Sequence, residues 1–298
     1  MVPYWIIIVL LACALHGLAN ILDNYFINRL FKNPAVLVFL APAFGLMALP
    51  FIFAFTRPGF PPISLLPFII IVGLTDVLYL YPYYKALQTA DTSIVTALFS
   101  LGKIFVPVMA FFLVGERLDL LQYAGFFVIV VSAAFLTMDD YRKLKFNRSF
   151  LWMLLCSLIL AFETVVYKYI FNNTAWATGF SWAVIFSFLL VLPMLFIKKY
   201  RSQIGSSMGK ARRSLHLFVM ENILALAGTA GFTFAISVAS VTLVSGIGSL
   251  QSVFVILYAV LFARLYPGVF KEKVTKAAVA VKLASFAAIA IGVILTLI

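Results

Sequence analysis

Ten apolar blocks, separated only by short polar segments, leave this chain few folds to choose from. They run Tyr4–Phe26, Pro34–Phe55, Ser64–Tyr84, Ser93–Val114, Leu120–Met138, Ser149–Phe171, Trp176–Ile197, Ser214–Ala239, Val241–Ala263 and Ala277–Leu297. A helix needs ~20 apolar residues to cross the ~30 Å hydrocarbon core of a bilayer, so each block is long enough to span. Lipid offers backbone groups no partner, so each span must be helical. A β-barrel would instead show ~10-residue segments of alternating polarity, which are absent. The shortest break is Ser237–Thr242, between the eighth and ninth blocks.

Composition agrees: 64% of the residues are hydrophobic and 11% charged, against ~25% charged in soluble domains. That balance excludes a soluble enzyme and a disordered chain. It also argues against nucleic acid as a partner despite a net charge of +12. The first block lacks a charged leader and a small-residue cleavage site, so it is expected to remain as a mature helix. Cys13 and Cys156 lie singly within spans, which fits small packing residues better than a disulfide or a metal site.

Location of the positive charge predicts orientation. Seventeen of the 22 Lys and Arg fall in loops after odd-numbered spans, including the cluster Lys198–Arg213; Arg57, Arg117 and Lys168 lie on the other side, and Lys103 and Lys282 within spans. The positive-inside rule puts the seventeen in the cytoplasm and both termini outside. The same basic loops are expected to contact anionic lipid.

The chain also reads as a duplication. A shift of 143 carries Cys13 and Asn20 onto Cys156 and Glu163, and Leu49-Pro50 onto Leu192-Pro193; a shift of 149 carries Ala86, Ala90, Ser100 and Leu101 onto Ala235, Ala239, Ser249 and Leu250. Residues 1–140 and 147–298 thus form two units of five helices. Five being odd, the second enters the membrane in the opposite sense. The expected fold is an all-α integral membrane protein of ten transmembrane helices in two inverted five-helix repeats, an arrangement that encloses a site near the midplane in secondary transporters.

At the third to fifth spans the sequence becomes recognisable. Leu80–Leu118, LYPYYKALQTADTSIVTALFSLGKIFVPVMAFFLVGERL, resembles the repeat signature of the drug/metabolite transporter superfamily in its ten-helix EamA-like branch, closing on Gly115-Glu116. Ala235–Pro267 is similar to the same signature without its Gly-Glu, for which Glu272 stands as a displaced counterpart. The resemblance implies a basket in which helices one, three, four, six, eight and nine line a central cavity that passes metabolites, amino acids, amines or drugs. Two departures stand out. Lys103, with Ser252 as its repeat mate, replaces the usual proline of helix four, and the family's termini are usually cytoplasmic, against the charge bias.

Ionisable residues at membrane depth are functional candidates by default. Asp76, Lys103, Glu163 and Glu221 lie on helices that the resemblance places around the cavity. Asp76 and Lys103 form either a structural ion pair or the two ends of a zwitterion site. Glu163 stands where the other half carries Asn20, and a carboxyl there suits proton coupling or an amine; the alternative is a satisfied interhelical hydrogen bond. Glu221 lies close to a span end and either joins the site or faces headgroups. His16 shares a helix face with Asn20, Asp23 and Asn24, which fits a proton relay or a hydrogen-bonded packing residue.

Tyr79 and Trp182 are candidate aromatic walls for a cation, whereas Tyr83 and Tyr84 read better as an interfacial belt. Gln251, beside Ser249 and Ser252, offers neutral polar contacts. The predicted binding set is Asn20, Asp76, Tyr79, Lys103, Glu163, Trp182 and Gln251, with Glu163, Asp76, Glu221 and His16 for protons. Gly246-Ile247-Gly248 is not a phosphate loop, and Ala284, Ala288 and Gly292 predict a small-residue packing face on span ten. No catalytic constellation, cofactor motif or metal cluster is present in the sequence.

The expected activity is secondary transport, as an exporter, of a small polar or amphipathic metabolite such as an amino acid or amine. The protein would act by alternating access with proton exchange, as a monomer or homodimer in a bacterial inner membrane. A flippase for a lipid-linked headgroup is the alternative, and a lipid-modifying membrane enzyme a more distant one.

Overall fold

The computed structural model describes residues 3–89, 92–137, 148–265 and 276–296. Each apolar block carries helix, and no strand occurs among the described residues. Along the chain these are α1 (Tyr4–Leu30), α2 (Pro34–Thr56) and α3 (Ile63–Leu87), then α4 (Thr92–Gly102), α5 (Phe105–Val114) and α6 (Leu120–Thr137). There follow α7 (Arg148–Asn173), α8 (Trp176–Leu195), α9 (Lys198–Arg213) and α10 (Leu215–Val238). The chain closes with α11 (Val241–Gly248), α12 (Gln251–Leu265) and α13 (Lys276–Leu295). Among the described residues, seven helical stretches are long and apolar enough to cross a membrane: α1, α2, α3, Phe150–Asn173, α8, α10 and Val241–Tyr258. Large apolar side chains point outward, Phe55 at 85%, Phe112 at 76% and Phe196 at 87% exposure. Such surfaces suit lipid rather than water. This is a multi-pass membrane protein.

Four of the predicted spans are interrupted, the second at Leu46-Met47, the third at Tyr79, and the fourth and ninth in their middle. The fourth divides into α4 and α5 at Lys103-Ile104. Pro107 explains the break: it has no N–H to give, and its ring excludes a helical carbonyl four residues back, at Lys103. The Lys103 carbonyl instead accepts from Val106 N–H at 2.9 Å. The ninth divides at Ser249-Leu250, after the small-residue run Ser245–Ser249. Pro50 and Pro193, one repeat shift apart, each lie at a distortion: Pro50 follows the turn at Leu46-Met47 in α2, and Pro193 sits within the tightened turn Leu192–Leu195 that ends α8.

Close approaches at glycine position the helices that carry the site. A Cβ on Gly73 would strike Phe186 and the Ser187 backbone, so glycine lets α3 lie against α8 and bring Asp76, one turn on, to Ser187. Gly125 and Gly292 face each other across α6 and α13. The predicted small-residue face on α13 is therefore used at Gly292, while Ala284 is exposed.

The helix ends on one side are clasped across the chain. The Glu116 carboxylate accepts from Val241 N–H at 2.9 Å and Thr242 N–H at 3.0 Å, at the start of α11. Lys168 Nζ donates to the carbonyls of Ile236 and Ala239 at 3.0 and 2.8 Å, where α10 ends. Each charge complements the helix terminus it meets. Glu116→Ala is expected to lose about 1–2 kcal/mol of stability, read as a lower unfolding midpoint of the detergent-solubilised protein; an unchanged midpoint would make the clasp incidental. Glu272, the counterpart expected from the sequence, lies outside the described residues, as does the basic linker at 138–147.

Candidate functional site

A cavity of about 280 Å³ lies between the helices. Its lining holds Asp23, Asp76, Glu163 and Glu221, four of the chain's ten acidic residues, against a single lysine or arginine among the described residues, Lys103. The segregation is sharp because the chain as a whole carries +12. Asp23, Glu163 and Glu221 are buried, so these carboxyls are held among the helices.

The four acids occur as two pairs. Asp76 on α3 accepts from Ser187 Oγ on α8 at 2.9 Å, and Glu163, on the neighbouring α7, lines the same cavity. Glu163 is buried, at 8% exposure, and its Oε2 has no partner. Asp23 on α1 accepts from Tyr83 and Tyr84 hydroxyls, both at 3.0 Å, and Glu221, on the neighbouring α10, lines the same cavity. Asn222 Nδ2 donates to Glu221 Oε2 at 2.8 Å. One turn beyond Asp23 and Glu221 along their helices, the rings of Phe26, Phe31, Phe44 and Phe218 pack edge-on or tilted at 4.8–6.2 Å.

Asn20 is also buried; its Oδ1 lies 3.0 Å from the Tyr83 hydroxyl and shares that group's one proton with Asp23, while its Nδ2 has no acceptor. Lys103 sits at the α4–α5 break with its ammonium 5.5 Å from the centre of the Phe232 ring. His16 packs its ring against the bare Cα of Gly228. The repeat mates Ser100 and Ser249 touch where α4 meets the α11–α12 break: Ser100 Oγ donates to the Ser249 carbonyl at 3.1 Å and lies 3.2 Å from Ser252 Oγ.

The structure therefore brings Asn20, Asp76, Tyr79, Lys103, Glu163, Gln251, His16 and Glu221 to one cavity. Trp182 is the exception. Its Nε1 donates to the Gly59 carbonyl at 3.0 Å and its ring lies edge-on to Phe60 at 4.8 Å, away from the lining. Trp182 sits on the face of α8 that holds the α2–α3 loop, whereas Ser187 on the same helix faces Asp76.

The ion pair considered for Asp76 and Lys103 does not form: Asp76 accepts from Ser187, and Lys103 stands over Phe232. Sequence reasoning missed Asp23, Tyr83 and Tyr84 as one cluster. The signal was there: Asp23 follows Asn20 by three residues on one helix face. Tyr83 and Tyr84 were assigned to the interface because they end an apolar block, yet both are buried.

The cavity is internal, lies between the helices and is lined by carboxyls from α1, α3, α7 and α10. Residues 3–138 match the EamA-like transporter family. The resemblance read from Leu80–Leu118 is thereby borne out, and the EamA-like match supports a membrane transporter of the drug/metabolite type. A solved structure described simply as the crystal structure of a protein superposes with a TM-score of 0.64 at 17% identity, covering 99% of this chain and 98% of its own. At that identity the likeness shows the fold alone. No curated protein matches the chain.

Proposed function

We propose that this EamA-like protein is a secondary transporter that exports a small amino acid or amine in exchange for protons, in a bacterial cytoplasmic membrane. The observation that carries the reading is the pair of carboxyl clusters facing one internal cavity in a strongly basic chain. Buried ionisable groups in membrane helices are costly and mark solute or proton paths. Asp76 and Glu163 can hold a proton between them, and an ammonium arriving at the unpartnered Glu163 Oε2 displaces it.

We also propose that residues 1–140 and 147–298 are inverted five-helix repeats, ten spans in all. In support, each acid pair joins the first span of one half to the third span of the other: α1 with α10 for Asp23 and Glu221, α7 with α3 for Glu163 and Asp76. The contact of Ser100 with Ser249, residues one repeat shift apart, fits a two-fold axis passing between them. Rocking one half on the other would expose the cavity to alternate sides. Purified protein in proteoliposomes is expected to move a labelled amino acid or amine faster under an imposed pH gradient than without one. No flux for any of a broad metabolite panel would reject the reading.

A further inference from the structure

We infer that the cavity is shaped for a dibasic amino acid, a solute with one carboxylate and two separated ammonium groups. This rests on the carrier reading and names its substrate class. The lining presents three charged stations: the Asp76–Glu163 pair, the Asp23–Glu221 pair, and Lys103. Their spacing follows from helix geometry. Asp76, Tyr79 and Tyr83 share a face of α3 at i, i+3 and i+7, and at 1.5 Å per residue the levels of Asp76 and Tyr83 are roughly 10 Å apart. The Tyr83 hydroxyl bonds Asp23 at 3.0 Å, so the two acid pairs lie at separate depths. The Tyr79 ring lies between those levels, 6.5 Å from the ring of Tyr83. On α1, His16, Asn20 and Asp23 at i, i+4 and i+7 run along the same wall, and Lys103 lies near the His16 end.

Two buried polar atoms in this wall lack partners, the acceptor Glu163 Oε2 and the donor Asn20 Nδ2. Glu163 is 8% exposed and Asn20 7%. Buried polar groups left unpaired are costly, so a fitting solute brings a donor to Glu163 Oε2. A neutral amino acid meets Lys103 and one acid pair and leaves the other pair bare. A simple diamine meets both acid pairs and leaves Lys103 without an anion. A dibasic amino acid meets every station: its carboxylate lies toward Lys103, its α-ammonium toward Glu163 Oε2, and its distal ammonium toward Asp23 and Glu221. The methylene chain then runs along Tyr79 and Tyr83, whose ring faces favour methylenes next to a cation.

Three matched probes test this on the purified full-length protein: free lysine, norleucine (the same chain without the distal amine) and 1,5-diaminopentane (the same chain without the carboxylate). Calorimetric Kd values are expected to be at least about tenfold tighter for lysine than for either control, because a site built for a polar group rejects analogues lacking it. Glu221→Gln is expected to weaken lysine to the norleucine level, and Lys103→Met to the diaminopentane level. Norleucine bound and transported as well as lysine would overturn the dibasic assignment and leave the carrier reading standing. Diaminopentane equal to lysine would overturn the carboxylate station at Lys103. Failure of all three to bind, with other metabolites still transported, would remove the substrate class; no binding and no flux of any metabolite would remove the carrier reading too. The wild-type comparison decides the matter even where a variant does not fold.

Discussion

Glu163→Gln is expected to abolish flux driven by a pH gradient, by at least about 100-fold, the scale of losing a group that transfers a proton. Glutamine keeps the shape of the side chain but takes up no proton and offers an ammonium no charge. Because Glu163 Oε2 makes no hydrogen bond in the resting structure, the substitution removes no existing contact there, and the unfolding midpoint should stay within a few degrees of the parent. That separates loss of coupling from loss of fold. Flux that still rises with the gradient in Glu163→Gln would take the proton away from this residue and leave Asp76 to be tested in the same way.

Gly102→Ala is expected to lower stability by about 1–3 kcal/mol, the usual scale of forced overpacking. A Cβ on Gly102 would overlap Ser157 Cβ and Oγ on α7, so α4 and α7 must part. Ser157 Oγ now donates to the Leu98 carbonyl at 3.3 Å, which that parting would break. Combining Gly102→Ala with Ser157→Gly removes the overlapping atoms and should recover part of the loss, a coupling that a double-mutant cycle measures. Gly205, with nothing within 4 Å of an added Cβ, is the control: Gly205→Ala should leave the unfolding midpoint nearly unchanged. Equal effects at 102 and 205 would show that the close approach of α4 and α7 is not what holds them.

Much of this was legible in the sequence because lipid imposes a length rule. Apolar blocks of ~20 residues gave the helices with their order, and charges inside them gave Asp76, Lys103, Glu163 and Glu221, all of which line the cavity. What escaped was direction around each helix. Every face of a membrane helix is apolar, so periodicity did not say that Trp182 turns toward Gly59 while Ser187, five residues on, turns toward Asp76. Tyr83 and Tyr84 look the same at an interface as in a core, and only their bonds to Asp23 separate the two. The breaks at Lys103-Ile104 and Ser249-Leu250 were hidden because a block is counted by its length, not by its carbonyl partners, although Pro107 pointed to the first of them. The helical form of Lys198–Arg213 was likewise not evident from a cluster read for its charge.

The most direct measurement is the accessibility of the cavity from the two faces of the membrane. With Cys13 and Cys156 replaced by serine, a single cysteine at Thr229, which lines the cavity, is probed with a membrane-impermeant thiol reagent applied separately to each side of sealed vesicles. The account predicts labelling from both sides, slowed on both by a transported solute. Labelling from one side only, or from neither, would contradict it.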